Sequence, residues 1–171
     1  YGDGDKPMIS TEFGYTDCNV ANPVGEMTPE RKAAFLVRGL VIQHVLGFRR
    51  VFVYSFWDEG RDENYTEHSF GMLDYYGQKK PAFYACQVLG RELGPCVFSG
   101  KMKGSDEVNF GYVYRNPETN RYITIVWNGA SEMTGSFRTQ PGAVTVVSML
   151  GKTKEIRTAA DGTFRTLYGP A

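Results

Sequence analysis

Residues 6–15 read KPMISTEFGY. Apolar Met8 and Ile9 lead through Ser10 and Thr11 to an acidic residue, Glu12, and an aromatic, a glycine and a second aromatic follow it. The stretch predicts a short strand over 6–11 with a carboxylate at its C-terminal end. A carboxylate placed there is costly unless it is paired or used, so Glu12 is the first candidate for chemistry.

The chain beyond it alternates. Residues 14–27 carry Gly14, Asn22-Pro23 and Gly25 and read as a loop. In Thr28-Pro29-Glu30 a capping hydroxyl, a proline at the first helical position and an acidic first turn mark a helix start. Ala33, Leu36, Val37, Leu40, Val41 and Val45 then recur at helical spacing, and Gly47 ends the run. Gly39 inside it costs about 1 kcal/mol relative to alanine, a cost that makes sense if the helix sits close to a sheet. RVFVYSF (50–56) is almost entirely β-branched and aromatic and predicts a strand buried on both faces, as in a parallel sheet. A long loop follows, from Trp57 to about Lys79, of a length compact domains usually keep for function. Lys80-Pro81 opens a second helix with Ala82, Ala85, Cys86, Leu89 and Leu93 as its apolar stripe, and Gly94-Pro95 stops it. Strand–helix–strand–helix implies parallel strands with right-handed crossovers. Both strand C-termini then lie on one side, with Glu12 at the first and Trp57, Asp58 and Glu59 at the second.

After Pro95 the pattern changes. Strands are predicted near 108–115, 121–127, 134–138, 143–149, 152–158 and 163–168, separated by the turn signals NPETN (116–120), NGAS (128–131) and ADG (160–162). Phe110, Tyr112 and Tyr114 share one face, as do Ile123, Ile125 and Trp127. Short strands at this spacing suggest an antiparallel sandwich. The expected organisation is therefore α/β plus all-β, with a barrel-like segment over 1–95 and a small β domain over 96–171.

Composition narrows the function classes. Lysine plus arginine and aspartate plus glutamate stand at 19 each, leaving no net charge, so no basic face for nucleic acid is indicated. The longest apolar stretch, Ala33–Leu46, is broken by Arg38, Gln43 and His44, and no membrane partner is expected. Of the three cysteines at least one must be unpaired, and with no C-x-x-C pair and two histidines neither a metal site nor a cofactor is expected. Eleven tyrosines and eleven phenylalanines suit a packed core and also a surface that stacks sugars. The chain begins at Tyr1 without a signal-peptide pattern and reads as a piece of something longer or a processed chain.

Together these motifs carry a resemblance. KPMISTEFGY resembles the seventh strand of the (β/α)8 glycoside hydrolases of clan A, in which the glutamate of a T-E-F-G-like string is the nucleophile. VFVYSFWDEG and FGMLDYYGQKKPAFYACQVLG resemble the eighth strand, long loop and final helix of the same enzymes. The region after Pro95 resembles the small β domain that follows such barrels in family 39; family 5 is the other similar group. The resemblance implies a partial TIM barrel, its last two βα units, carrying a C-terminal β-sandwich.

It further implies Glu12 as the nucleophile of a retaining enzyme acting on β-linked poly- or oligosaccharides, and Trp57 as the floor of a sugar subsite. Asp58, Glu59, Tyr15 and His68 are the polar neighbours expected to take substrate hydroxyls. The general acid of clan A lies on strand four, usually in an asparagine–glutamate pair; this chain has neither. The alternative is a non-catalytic carbohydrate-binding or structural module derived from such an enzyme. With only two barrel strands the chain is expected to form a homo-oligomer or to associate with the missing barrel part. Localisation stays open, with an extracellular parent enzyme allowed.

Overall fold

The structure is a computed structural model that describes residues 4–18, 20 and 25–170. The predicted Asn22-Pro23 turn lies outside the described residues. The chain divides into two compact units, Tyr1–Cys86 and Gln87–Ala171, and the division falls inside the second helix.

In the first unit, strand β1 (Ile9–Phe13) pairs in parallel with β2 (Arg50–Val53), and helix α1 (Pro29–Val45) connects them. The helix starts as its sequence dictates. Thr28 accepts a hydrogen bond from the Arg31 amide at 3.2 Å on its side chain, Pro29 takes the first helical position, and Gly47 leaves the helix at φ +88°. Ala33, Leu36, Val37 and Val41 of the predicted stripe are buried. A Cβ at Gly39 would overlap the ring of Phe13 on β1, so glycine there lets the helix lie this close to the sheet.

Both strands differ from their predicted extents. β1 runs two residues further than expected and takes in Glu12 and Phe13, because its pairing with β2 resumes at Phe13–Val53 after a register shift past Ser10–Val51. β2 stops at Val53 rather than Phe56. From Ser55 onward the backbone is claimed by the returning loop: Met72 donates to the Ser55 carbonyl at 3.1 Å, Leu73 to Phe56 at 2.9 Å, and Asp58 to Leu73 at 3.0 Å. Burial on both faces is not realised either. Phe52 and Phe56 are more than half exposed, as nearly are Met8 and Ile9.

Helix α2 (Pro81–Leu93) follows, with Ala82 and Ala85 buried. In the second unit, β3 (Val97–Lys101), β4 (Asn109–Arg115) and β5 (Tyr122–Asn128) form an antiparallel sheet. β6 (Met133–Arg138) pairs with β9 (Thr163–Tyr168), and the hairpin of β7 (Ala143–Val147) and β8 (Thr153–Arg157) lies between them in sequence. The six predicted strands are present within a residue or two; β3 was not foreseen.

The aromatic faces predicted on β4 and β5 meet. Phe110 stands opposite Trp127, Tyr112 opposite Ile125 and Tyr114 opposite Ile123. The Phe110 and Trp127 rings stack at 5.1 Å, and Tyr112, Tyr114 and Trp127 are buried. Such cross-strand aromatic pairs are the main stabilising unit of a small sheet. Asn109 joins this sheet to β9, its side-chain oxygen accepting from Asn128 at 2.9 Å and from the Tyr168 hydroxyl at 3.2 Å. All three cysteines are free, and among the described residues no helix is long and apolar enough to cross a membrane.

Candidate active site

The ends of β1 and β2 meet at Gly14 and Tyr54. The Tyr54 amide donates to the Phe13 carbonyl at 2.9 Å, and a Cβ on Gly14 would overlap the Tyr54 carbonyl oxygen. Over this junction opens a cleft of about 310 Å³ lined by Glu12, Phe13, Gly14, Tyr54, Glu67 and Phe70. Glu12 is solvent-exposed at its edge. Phe70 packs on the Tyr54 ring at 5.2 Å and gives the cleft an apolar wall.

Tyr54 carries the polar side of the cleft. Its hydroxyl lies 3.0 Å from Glu59 Oε1 and 3.1 Å from Glu67 Oε2. The hydrogen bond to Glu59 and the pair of carboxylates push the phenol up to about 12, since ionisation would place a third negative charge among them. The hydroxyl therefore stays protonated through the neutral range. Glu12, Glu67 and Tyr54 together make the cleft acidic, rich in hydrogen-bond acceptors and open to water.

Beneath the cleft lies a group of charges that the sequence reading had not foreseen. Lys32 of α1 is 1 % exposed, and its ammonium donates to Asp17 Oδ1 at 3.1 Å, Ser69 O at 2.7 Å and Gly71 O at 2.8 Å. Lys80 lies 3.2 Å from the same Asp17 oxygen and is ion-paired with Asp58. Asp58 also accepts from the Gly71 amide at 2.7 Å. Two lysines and two aspartates thus balance, and both loops that build the cleft are tied to α1. Desolvation, only partly offset by Asp17, pulls the Lys32 ammonium down to about 8. A second set of bonds closes the same gap: Thr16 donates to the Thr66 carbonyl at 3.0 Å, and the Asp17 amide donates to the Ser69 carbonyl at 3.2 Å.

The predicted site residues fall into distinct places. Glu12 lines the cleft, and Glu59 reaches it through Tyr54. Trp57 is half exposed on the loop after β2, its indole N–H donating to the Tyr75 carbonyl at 3.1 Å. Asp58, expected at the substrate, is instead buried with both oxygens engaged by Gly71 and Lys80, and it serves the loop. Tyr15 packs between Phe13 and Phe35, with ring centroids 5.5 and 5.4 Å away, and burial raises its phenol; it does not line the cleft. His68 accepts from the Asp62 amide at 3.2 Å and stands edge-on to Tyr65, holding the loop's own shape.

Tyr54 and Glu67 were missed. Tyr54 falls within the β-branched and aromatic run 50–56 and Glu67 within the long loop that follows, and neither position carries a signal of its own in the sequence. Lys32 was discoverable, for it stands four residues before Leu36 and so shares the buried stripe. Among the described residues no group of histidine, cysteine, aspartate and glutamate could hold a metal ion.

No family profile matches the chain, and no curated protein matches it. A solved structure does: a family 39 glycoside hydrolase from the gut symbiont Bacteroides cellulosilyticus WH2, with a TM-score of 0.76 and 20 % identity over 96 % of this chain. The chain has a glycoside hydrolase-like fold. It spans about a third of the length of that enzyme, 32 % of its chain, and combines helices with antiparallel sheets.

Proposed function

We propose that the chain is the C-terminal segment of a retaining glycoside hydrolase acting on β-linked poly- or oligosaccharides, with Glu12 as its nucleophile. In this reading β1 and β2 are the seventh and eighth strands of a (β/α)8 barrel and the second unit is its appended β-sandwich. The observation that carries the reading is the cleft at the end of β1, where Glu12 stands beside an acidic, hydroxyl-binding wall. Catalytic groups of such barrels collect at the C-terminal ends of the strands, and the similarity of fold to a glycoside hydrolase supports the assignment.

The chemistry divides between what this chain holds and what it lacks. Glu12 attacks the anomeric carbon, the bond from that carbon to the leaving oxygen breaks, and a covalent glycosyl ester forms. The protonated Tyr54 hydroxyl and the Glu67 carboxylate orient sugar hydroxyls in the cleft. A retaining enzyme needs a second carboxyl group about 5–5.5 Å from the nucleophile to protonate the leaving oxygen; that group belongs to the part of the barrel outside this chain. In this reading the exposed Ile9 and Phe52, on one face of the β1–β2 pair, belong to the surface that the rest of the barrel, or a second copy, covers.

A substrate whose leaving group needs no proton tests the nucleophile alone. A 2,4-dinitrophenyl 2-deoxy-2-fluoro-β-glycoside, in the xylo and gluco series, departs as its phenolate and leaves the fluorosugar on the attacking carboxylate. The expected result is a stoichiometric mass increase located at Glu12 and absent from Glu12→Gln. Labelling elsewhere, or none, overturns the assignment, and sugar binding without labelling would support a carbohydrate-binding module instead.

A further inference from the structure

The buried lysine beneath the cleft fits its surroundings in only one of its two protonation states. As an ammonium, Lys32 has three N–H groups and no lone pair. It faces three acceptors, Asp17 Oδ1 at 3.1 Å, Ser69 O at 2.7 Å and Gly71 O at 2.8 Å. As a neutral amine it would keep two N–H groups and turn a lone pair on the third acceptor. These acceptors join the two stretches of chain that bound the cleft. Asp17 lies on the segment that leaves β1 beyond Glu12, and Ser69 and Gly71 flank Phe70, which lines the cleft together with Glu67. The Phe70 backbone has a long bond of its own, its carbonyl accepting from the Ser55 amide at 3.4 Å.

The charges facing Lys32 come from three segments: Asp17 after β1, Asp58 after β2 and Lys80 before α2. The turn Thr66–Ser69 offers it the Ser69 carbonyl. Without the Lys32 proton, two buried aspartates would share Lys80 alone. Burial brings the ammonium down to about 8, so the proton leaves in mildly alkaline solution. Cys18, buried beside Asp17, is a second ionisable group there; burial raises its thiol, but bonds to Thr66, Val20 and Thr16 bring it below its ordinary value.

We propose that Lys32 is a positioning residue whose proton sets the Glu67–Phe70 wall of the cleft: the ammonium holds that wall to the segment following Glu12, and the neutral amine releases it. The consequence for the reaction rests on the reading of the cleft as a glycosidase site; the movement of the wall does not. Release weakens the hold on the sugar rather than the attack, because the strand end that carries Glu12 is kept in place by the contact between Gly14 and the Tyr54 carbonyl. The change is local, since that contact and the bond from Met72 to the Ser55 carbonyl do not involve the lysine.

Fluorine NMR of the full chain with 4-fluorophenylalanine in place of Phe70 follows the wall directly. The resonance should move in one step centred near pH 8. Labelling of Glu12 by the fluoroglycoside should follow the same step. The concentration for half-maximal rate should rise about tenfold between pH 7 and 9, as the charged fraction of Lys32 falls, while the rate at saturation stays level. Lys32→Arg, which keeps its charge throughout, should abolish both steps, and Cys18→Ser should leave both in place. A resonance that stays flat over this range overturns the proposal, as does a step kept in Lys32→Arg or lost in Cys18→Ser. If Lys32→Arg does not fold, the Cys18→Ser chain decides: a step near pH 8 supports Lys32, and its absence removes it. A fluorine step without labelling at any pH supports the wall and removes the nucleophile. Labelling that is indifferent to pH, beside a flat resonance, keeps the nucleophile and removes the wall.

Discussion

Lys32→Met keeps the length of the side chain and removes its charge and its three donated hydrogen bonds. Asp17 would retain Lys80 as its partner, so it is not left bare. The carbonyls of Ser69 and Gly71 would lose the ammonium that serves them at 2.7 and 2.8 Å. A buried acceptor left unsatisfied costs about 1–3 kcal/mol. Two give about 2–6, and removing one partner of a buried ion pair costs about 3–5. The expected loss is about 3–4 kcal/mol. With a slope of about 2 kcal/mol per molar urea for a chain of this size, the midpoint should fall by roughly 1.5–2 M. Urea unfolding followed by circular dichroism measures it.

The same lysine sets a pH dependence. Its ammonium falls from the ordinary 10.5 to about 8 on folding, so between those values the unfolded chain binds more protons than the folded one. Stability from this group therefore rises with pH across that window, by at most about 3 kcal/mol, and Lys32→Met should remove the rise. A variant within 0.5 M of the parent midpoint, with its alkaline rise intact, would show that Lys32 does not hold the two loops.

Gly39→Ala should cost about 1–3 kcal/mol by overpacking against Phe13, read as a lower urea midpoint; an unchanged midpoint would mean that the helix has room to withdraw from β1. Tyr54, pushed up to about 12, should remain un-ionised at pH 11 in the 295 nm absorbance of the folded chain by comparison with Tyr54→Phe. Because its folded value lies above the unfolded 10, its contribution to stability is lost as pH rises from 10 towards 12. Light scattering at micromolar concentration should show self-association driven by the open sheet edges, and a monomer with a cooperative melt would contradict it.

Much of this architecture could be read from local signals. The cap at Thr28, the stripe of α1 and the stop at Gly47 are all nearest-neighbour effects, and each is seen. The aromatic faces of β4 and β5 were legible because alternation alone assigns a strand face. β3 was not, since VFSGK follows a Gly-Pro breaker and contains Gly100; it is a strand because β4 pairs with it. The end of β2 escaped for the converse reason: YSF has strand composition, and the loop 70–73 captures its backbone. At the site, Glu12 could be singled out as a strand-end carboxylate, whereas the work of Asp58 could not. Its partners stand 13 and 22 positions away, at Gly71 and Lys80, and only the folded loop joins them.

The contact between Gly14 and the Tyr54 carbonyl acts as a mechanical stop. Side chains around a cleft can be trimmed or rotated, but two backbones already touching have no slack to give. The spacing between Glu12's strand end and the Tyr54 strand end is thus insulated from repacking elsewhere in the core. The opposite wall, where Glu67 and Phe70 belong to a single short turn at Thr66–Ser69 and its first following residue, is held in another way, by the Lys32 ammonium on the Ser69 and Gly71 carbonyls. One wall of the cleft is set by backbone against backbone and the other by a buried ammonium.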